Sequence, residues 1–213
     1  MASIIFILGE SGSGKSRSIK NLPPDKTMVV NVDSKPLPFR HGKEWTIFSK
    51  DNPKGNIYCS DNVENIIKVI KNVKQEIIVI DDFQYLMQNE YMRRCKEKSY
   101  DKFTDISDMI GRVLQACKEA EHKKRIYILS HTEETAQGKV KIKTVGKAVD
   151  QYITPEGKAT IVLRTHVTNG VYEFSTQNDG NDTCKSPEEM FPDPRIENDL
   201  AIVDKFITDY YGI

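Results

Sequence analysis

The chain has no surplus of charge of either sign, with 31 Lys and Arg against 31 Asp and Glu. That excludes a protein that coats nucleic acid by bulk electrostatics, because counterion release needs a basic excess. A local basic surface remains compatible with neutrality. Cysteine is sparse: Cys59, Cys95, Cys117 and Cys184 show no C-x-x-C spacing and no paired His, which excludes a zinc knuckle or a disulfide framework. Reduced thiols in a cytosolic compartment are expected instead. No run approaches the roughly 18–20 apolar residues of a membrane span. The apolar start, residues 1–8, has no basic segment before it and runs into glycines, so it does not read as a signal peptide. Repeats and low-complexity tracts are also missing. At 213 residues the chain reads as one domain, residues 1–213, able to bury a core without staples.

What is present is an alternation of apolar runs with helical periodicity, the pattern of parallel strands joined by helical crossovers. The expected class is α/β, a mainly parallel sheet flanked by helices. Residues 4–8 are continuously apolar, as for a strand buried on both faces. A helix is expected after the glycines, stopped by Pro23-Pro24. A second strand is expected over 28–32, then a loop with Pro36 and Pro38 before residues 45–48. Over 61–74 the apolar positions fall at helical spacing, with Asp61 and Glu64 as a capping pair. A buried strand over 77–80 ends in Asp81-Asp82, and 83–97 reads as a helix. Residues 96–105 read as an exposed connection before a helix over 106–117, and a strand over 126–129 ends in Ser130-His131. Beyond it, 139–143 alternates, and Asn169-Gly170 between apolar runs signals a hairpin. Added antiparallel strands at a sheet edge, an irregular loop over 177–196 and a closing helix over 199–210 complete the expectation.

Gly9-Glu10-Ser11-Gly12-Ser13-Gly14-Lys15-Ser16 matches the G-x-x-x-x-G-K-[ST] pattern, between a buried strand and an expected helix. Glycines let successive N–H groups turn toward phosphates, and a helix amino terminus adds positive potential. Lys15 is expected at the β and γ phosphates and Ser16 on Mg²⁺, with Arg17 continuing the nucleotide-binding run. The metal needs a second anionic anchor at a neighbouring strand end, which Asp81 supplies. Asp82 either polarises an attacking water or caps the next helix. Asp33 is a further candidate at a strand end, and Glu10 is expected to face solvent or a neighbouring subunit. His131 is expected to sense the γ-phosphate from the same edge, or else to satisfy a backbone carbonyl.

On these residues the chain resembles the phage RecA-like ATPases, and more closely the AAA-domain phage nucleotide-binding proteins, some of which assist single-strand annealing and recombination. Similar segments include Asp33-Ser34-Lys35-Pro36-Leu37-Pro38-Phe39, Ile80-Asp81-Asp82-Phe83-Gln84-Tyr85-Leu86, Leu129-Ser130-His131 and Thr144-Val145-Gly146-Lys147. Residues 170–177 and 183–187 fit more loosely. The resemblance implies a RecA-like P-loop core that forms rings or filaments and hydrolyses ATP with Mg²⁺. It also implies action on DNA, with recombination or replication proteins as partners, in the host cytoplasm. One departure stands out: RecA-type ATPases carry a catalytic Glu just after the strand that follows the P-loop helix, whereas this chain has Asp33 and then Lys35.

Lys139, Lys141 and Lys143 alternate with Val140 and Ile142, so as a strand they line one face, either to follow a phosphate backbone of single-stranded DNA or to protect an edge. Lys147 and Arg164 are the candidates for a charge-stabilising finger across a subunit interface. Arg93-Arg94 is the sole adjacent arginine pair that a small-molecule kinase could use as a lid. A nucleotide-gated assembly module with slow turnover is the other alternative to an ATPase.

Overall fold

The apolar runs become strands because both of their faces are covered. Ile4, Phe6 and Leu8 pack with Ile78, Ile80, Ile126 and Ile128 in one core. The intervening Ile5, Ile7, Ile77, Val79, Tyr127 and Leu129 enter a second core across the sheet. Side chains alternate along a strand, so a run without polar residues requires cover on each side. The computed structural model describes residues 2–40 and 42–213; Met1, counted in the apolar start, lies outside them.

Strand β1 (Ser3–Gly9) leads through a 3-10 helix (Ser16–Asn21) and a short 3-10 turn (Pro24–Lys26) to β2 (Thr27–Asn31). Then come β3 (Ile57–Cys59), α1 (Val63–Asn72), β4 (Ile77–Asp81), α2 (Gln84–Arg93), α3 (Asp101–Glu119) and β5 (Arg125–Glu134). The remainder is β6 (Val140–Ile142), α4 (Lys147–Asp150), a 3-10 turn (Pro155–Lys158), β7 (Ile161–Thr168), β8 (Val171–Ser175), β9 (Arg195–Glu197) and α5 (Leu200–Tyr211). The sheet order is β3-β2-β4-β5-β1-β7-β8-β9, with β6 paired to β5. From β3 to β7 every pairing is parallel, and β6, β8 and β9 add antiparallel strands. Helices α1, α2 and α3 cover the first core, through residues such as Ile66, Leu86 and Ile110. Helix α5 and the 3-10 helix cover the second, through Val203, Ile207, Ile19 and Leu22. The molecule is thus α/β, with a mostly parallel central sheet flanked by helices.

Several local expectations are corrected. The helix after the glycines is a 3-10 segment, and it stops before the prolines as expected, with Leu22 extended at φ −62° and ψ 144°. Helix α1 is capped by Asn62, whose side chain accepts from Asn65 N–H. Asp61 instead pairs with Arg93, and Glu64 with Arg112. Residues 45–48 contribute a single bridge, Ile47 to Ile57. Helix α3 starts at Asp101, inside the expected connection, and α2 ends at Arg93, short of residue 97. Strand β5 runs on past residue 129 to Glu134, and β9 forms at the end of the expected irregular loop. The hairpin at Asn169-Gly170 forms as expected, with φ of 52° and 80° at its two turn residues.

Candidate active site

Parallel strands deliver their carboxyl ends to one edge of the sheet. In register, Asn31 of β2 lies beside Asp81 of β4, and His131 of β5 lies opposite Gly9 of β1. Strand β5 therefore separates the glycine-rich loop from the Asp81 strand and places His131 between them.

The loop is shaped by contacts that only its own residues permit. A Cβ at Gly9 would meet Thr165 Oγ1 at 1.8 Å and Ser13 Oγ at 2.6 Å. Gly12 and Gly14 hold φ of 77° and 95°, in the left-handed region that favours glycine. Thr165 Oγ1 donates to Ser13 Oγ at 2.7 Å, and Ser13 Oγ donates to the Glu10 carbonyl at 2.6 Å, which ties the loop to β7. Lys15 is buried and its Nζ donates to the carbonyls of Gly9 and Glu10, both at 2.8 Å. Burial draws its pKa down to about 8, against the pull of Asp82, Asp81 and Glu10.

Ser16 Oγ donates to Asp81 Oδ1 at 2.9 Å, joining the loop to the end of β4. Asp81 is buried, and burial together with the neighbouring Asp82 charge pushes its pKa up to about 6. A buried carboxylate beside a second one has use for a cation. Asp82 takes φ of 64°, a left-handed turn that Asp tolerates better than most residues and that ends the strand. Its side chain does not cap α2, which begins without a side-chain cap. Instead Asp82 Oδ2 lies 3.2 Å from Lys35 Nζ, and Asp82 Oδ1 lies 3.5 Å from His131 Nε2. Burial raises the Asp82 pKa, but His131 and Lys35 more than offset it and bring it to about 2. Gln84 Oε1 accepts from Ser130 Oγ at 3.2 Å and from His131 N–H at 3.1 Å, which fixes β5 against the start of α2.

These groups surround a cleft of about 330 Å³ lined by Ser11, Gly12, Gly14, Lys15, Ser16, Arg17, Asp82 and His131, together with Lys35, Pro38, Tyr85 and Tyr172. A larger hollow of about 740 Å³ lies at the other end of β1, against α3, Tyr152 and Tyr211. None of the loop residues reaches it, so volume alone does not mark the chemistry. No family model and no curated protein matches this chain.

Of the expected site residues, Gly9 and Ser13 support the loop from beneath, and Asp81 stands behind Ser16. Glu10 is exposed and contributes its carbonyl rather than its carboxylate. Asp33 does not line the cleft and meets it through Lys35, at 2.7 Å. Lys147 and Arg164 do not line it either, and Arg164 lies 3.6 Å from the buried Asp182. The lysine stripe is broken, since Lys141 pairs with Glu133 at 2.7 Å and Asp150 at 2.8 Å, leaving Lys139 and Lys143 exposed. Sequence reasoning missed Lys35, Gln84, Tyr85, Thr165 and Tyr172. Gln84 and Tyr85 come two and three residues after Asp82, at the start of α2, so helical projection from that strand end is the signal that could have found them.

Among the described residues, no group of three or more His, Cys, Asp or Glu side chains is arranged to hold a metal. Ser16 and Asp81 are the oxygen donors that would hold a hard divalent ion at this cleft.

Proposed function

We propose that this protein is an Mg²⁺-dependent ATPase with a RecA-like P-loop fold, acting on single-stranded DNA as a ring or filament in phage recombination or replication. The carrying observation is the 2.9 Å hydrogen bond from Ser16 at the end of the loop to Asp81 on β4, one strand removed from β1, beside the buried Lys15 and with Asp82 lining the same cleft. The loop amides and Lys15 bind the β and γ phosphates, and Ser16 and Asp81 hold the metal. Mg²⁺, when bound, supplies positive charge to the phosphate oxygens. Asp82 orients a water whose oxygen attacks the γ phosphorus. The bond to the bridging oxygen breaks with its electron pair on ADP, and the water proton passes to Asp82 and on to solvent. Gln84 holds His131 where it contacts the transferred group.

The β5–β6 hairpin leaves the site directly, with Lys143 N–H donating to the His131 carbonyl at 2.8 Å. Its exposed Lys139 and Lys143 support a DNA contact coupled to the phosphate site. Nothing in the cleft supports a kinase lid, because Arg93 and Arg94 are engaged with Asp61, Glu90, Glu97 and Asp105. The hold of Lys35 and His131 on Asp82 does favour a second reading, slow turnover with assembly as the output.

Phosphate release from ATP and Mg²⁺, titrated with single-stranded and duplex DNA, tests catalysis and partner together. The parent should release phosphate faster with single strands, and Lys15→Ala should lose on the order of 100-fold or more. Absence of phosphate release from the parent under every condition sinks the ATPase, and light scattering that rises with ATP would then favour assembly.

A further inference from the structure

The connection after β2 carries a second lysine into the cleft, and its local structure is built around that placement. Asn31 Nδ2 donates to the Lys35 carbonyl at 2.6 Å, closing the turn after the strand. Ser34 adopts φ of 55°, a left-handed conformation that a non-glycine residue takes only when its surroundings require it. The Lys35 ammonium lies 2.7 Å from Asp33, 3.2 Å from Asp82 and 4.6 Å from the centre of the Tyr85 ring. Its side chain is 53% exposed while that of Asp82 is 13% exposed, so the ammonium stands on the open side of the carboxylate.

Among the described residues, three Lys and Arg side chains line the cleft, and they are not equivalent. Lys15 is at the floor, bonded to loop carbonyls. Arg17 lies over the Tyr172 ring at 4.8 Å, on the β8 side. Of the three, Lys35 stands at the end of β4, beside Asp82 and within the same group of residues as His131. Lys147 and Arg164, the candidates for a finger across a subunit interface, do not line this chain's own cleft.

We infer that Lys35 is a second phosphate-binding lysine, which donates to the terminal phosphate of a bound nucleoside triphosphate from within the same chain. The inference rests on the nucleotide reading above and adds a residue to that site. Anchored by Asp33 and by the Tyr85 face, the ammonium exchanges its contact with Asp82 for a phosphate oxygen while its stem stays in place. The arrangement selects for a triphosphate, because the loop amides and Lys15 hold the β phosphate of either nucleotide, whereas Lys35 reaches only the γ phosphate, which it shares with Lys15. A merely structural lysine, there to balance Asp33 and Asp82, would not distinguish triphosphate from diphosphate.

The test compares binding of a non-hydrolysable ATP analogue and of ADP, each with Mg²⁺, by fluorescence anisotropy on the full chain. Lys35→Ala should weaken the analogue about tenfold or more, the scale of one charge-assisted contact, and change ADP less than about twofold. Lys35→Arg should restore much of the analogue's affinity. Lys35→Gln keeps part of the stem over Tyr85 without the charge and should behave as Lys35→Ala, which guards against a fold defect, and thermal melts of all three check the fold directly. Unchanged affinity for the analogue, or equal loss for analogue and ADP in a folded variant, overturns the assignment while leaving the nucleotide site standing. A parent that binds neither nucleotide, with Lys15→Ala no different, overturns the nucleotide reading and this inference with it.

Discussion

Gly9 shows how tightly single residues define the loop. Any side chain there runs into Thr165 and Ser13, so Gly9→Ala should destabilise the fold by about 1–3 kcal/mol in urea melts. Adding Thr165→Ala should recover part of that loss, because the closest clash is with the Thr165 hydroxyl. Lys15 gives a second prediction, with a definite sign. Its native pKa is drawn down to about 8 by burial, so between there and the ordinary lysine value near 10.5 the unfolded chain binds more protons than the native one. Stability contributed at this site therefore rises with pH across that window, and the penalty of the buried charge is greatest below it. Paired urea melts at pH 7.5 and 9.5 should show the rise relative to Lys15→Met, which should lack it. Lys15, Ser16 and Asp81 were legible in the sequence because a fixed glycine-lysine spacing and the polar end of an apolar strand each mark a position in the fold. Lys35 was not, since an exposed lysine after a strand reads as solvated. Its direction depends on the left-handed turns at Ser34 and Asp82, which no residue type announces.

At the scale of elements, burial on two faces explains what could be read. Strands β1, β4 and β5 have continuous apolar runs because both cores need them. Strands β3 and β9 are three residues each and leave no periodic trace. The helix behind the loop ends before Pro23, as its prolines signal, but its 3-10 form left no mark in the sequence. Helix α5 is joined to the sheet by a polar contact that no pattern showed. Arg125 donates through Nε and Nη2 to the two oxygens of Asp204, each at 2.9 Å, and Tyr127 OH donates to Asp204 Oδ1 at 2.7 Å. Removing the carboxylate strands a buried guanidinium, so Asp204→Ala should cost about 3–5 kcal/mol in chemical denaturation. A loss below about 1 kcal/mol would show that the guanidinium finds water or another partner.

For the whole molecule, neutrality of charge and the broken lysine stripe act together. With Lys141 neutralised by two carboxylates, the hairpin offers Lys139 and Lys143. If these carry the DNA contact, each chain should show a log–log salt slope of about −1.4 with single strands, at about −0.7 per phosphate neutralised. Lys139→Glu with Lys143→Glu should abolish DNA stimulation of phosphate release while sparing its basal rate. Stronger salt dependence per chain would locate the contact elsewhere. The α/β class and the strand-edge location of the cleft were legible at this scale, because parallel strands must end together; which loops fold over that edge was not.

Asp199 caps α5 with one oxygen, accepting from Ala201 N–H at 2.8 Å, and with the other accepts from Asn21 at 2.5 Å. Asn21 closes the 3-10 helix that carries the glycine-rich loop's own continuation, so the two ends of the chain share one carboxylate. Order in the loop and order in the last helix are then thermodynamically linked, and each must stabilise the other to the same degree. A ligand that quiets the loop should slow amide exchange in the first turn of α5, and Asn21→Ala should weaken that protection.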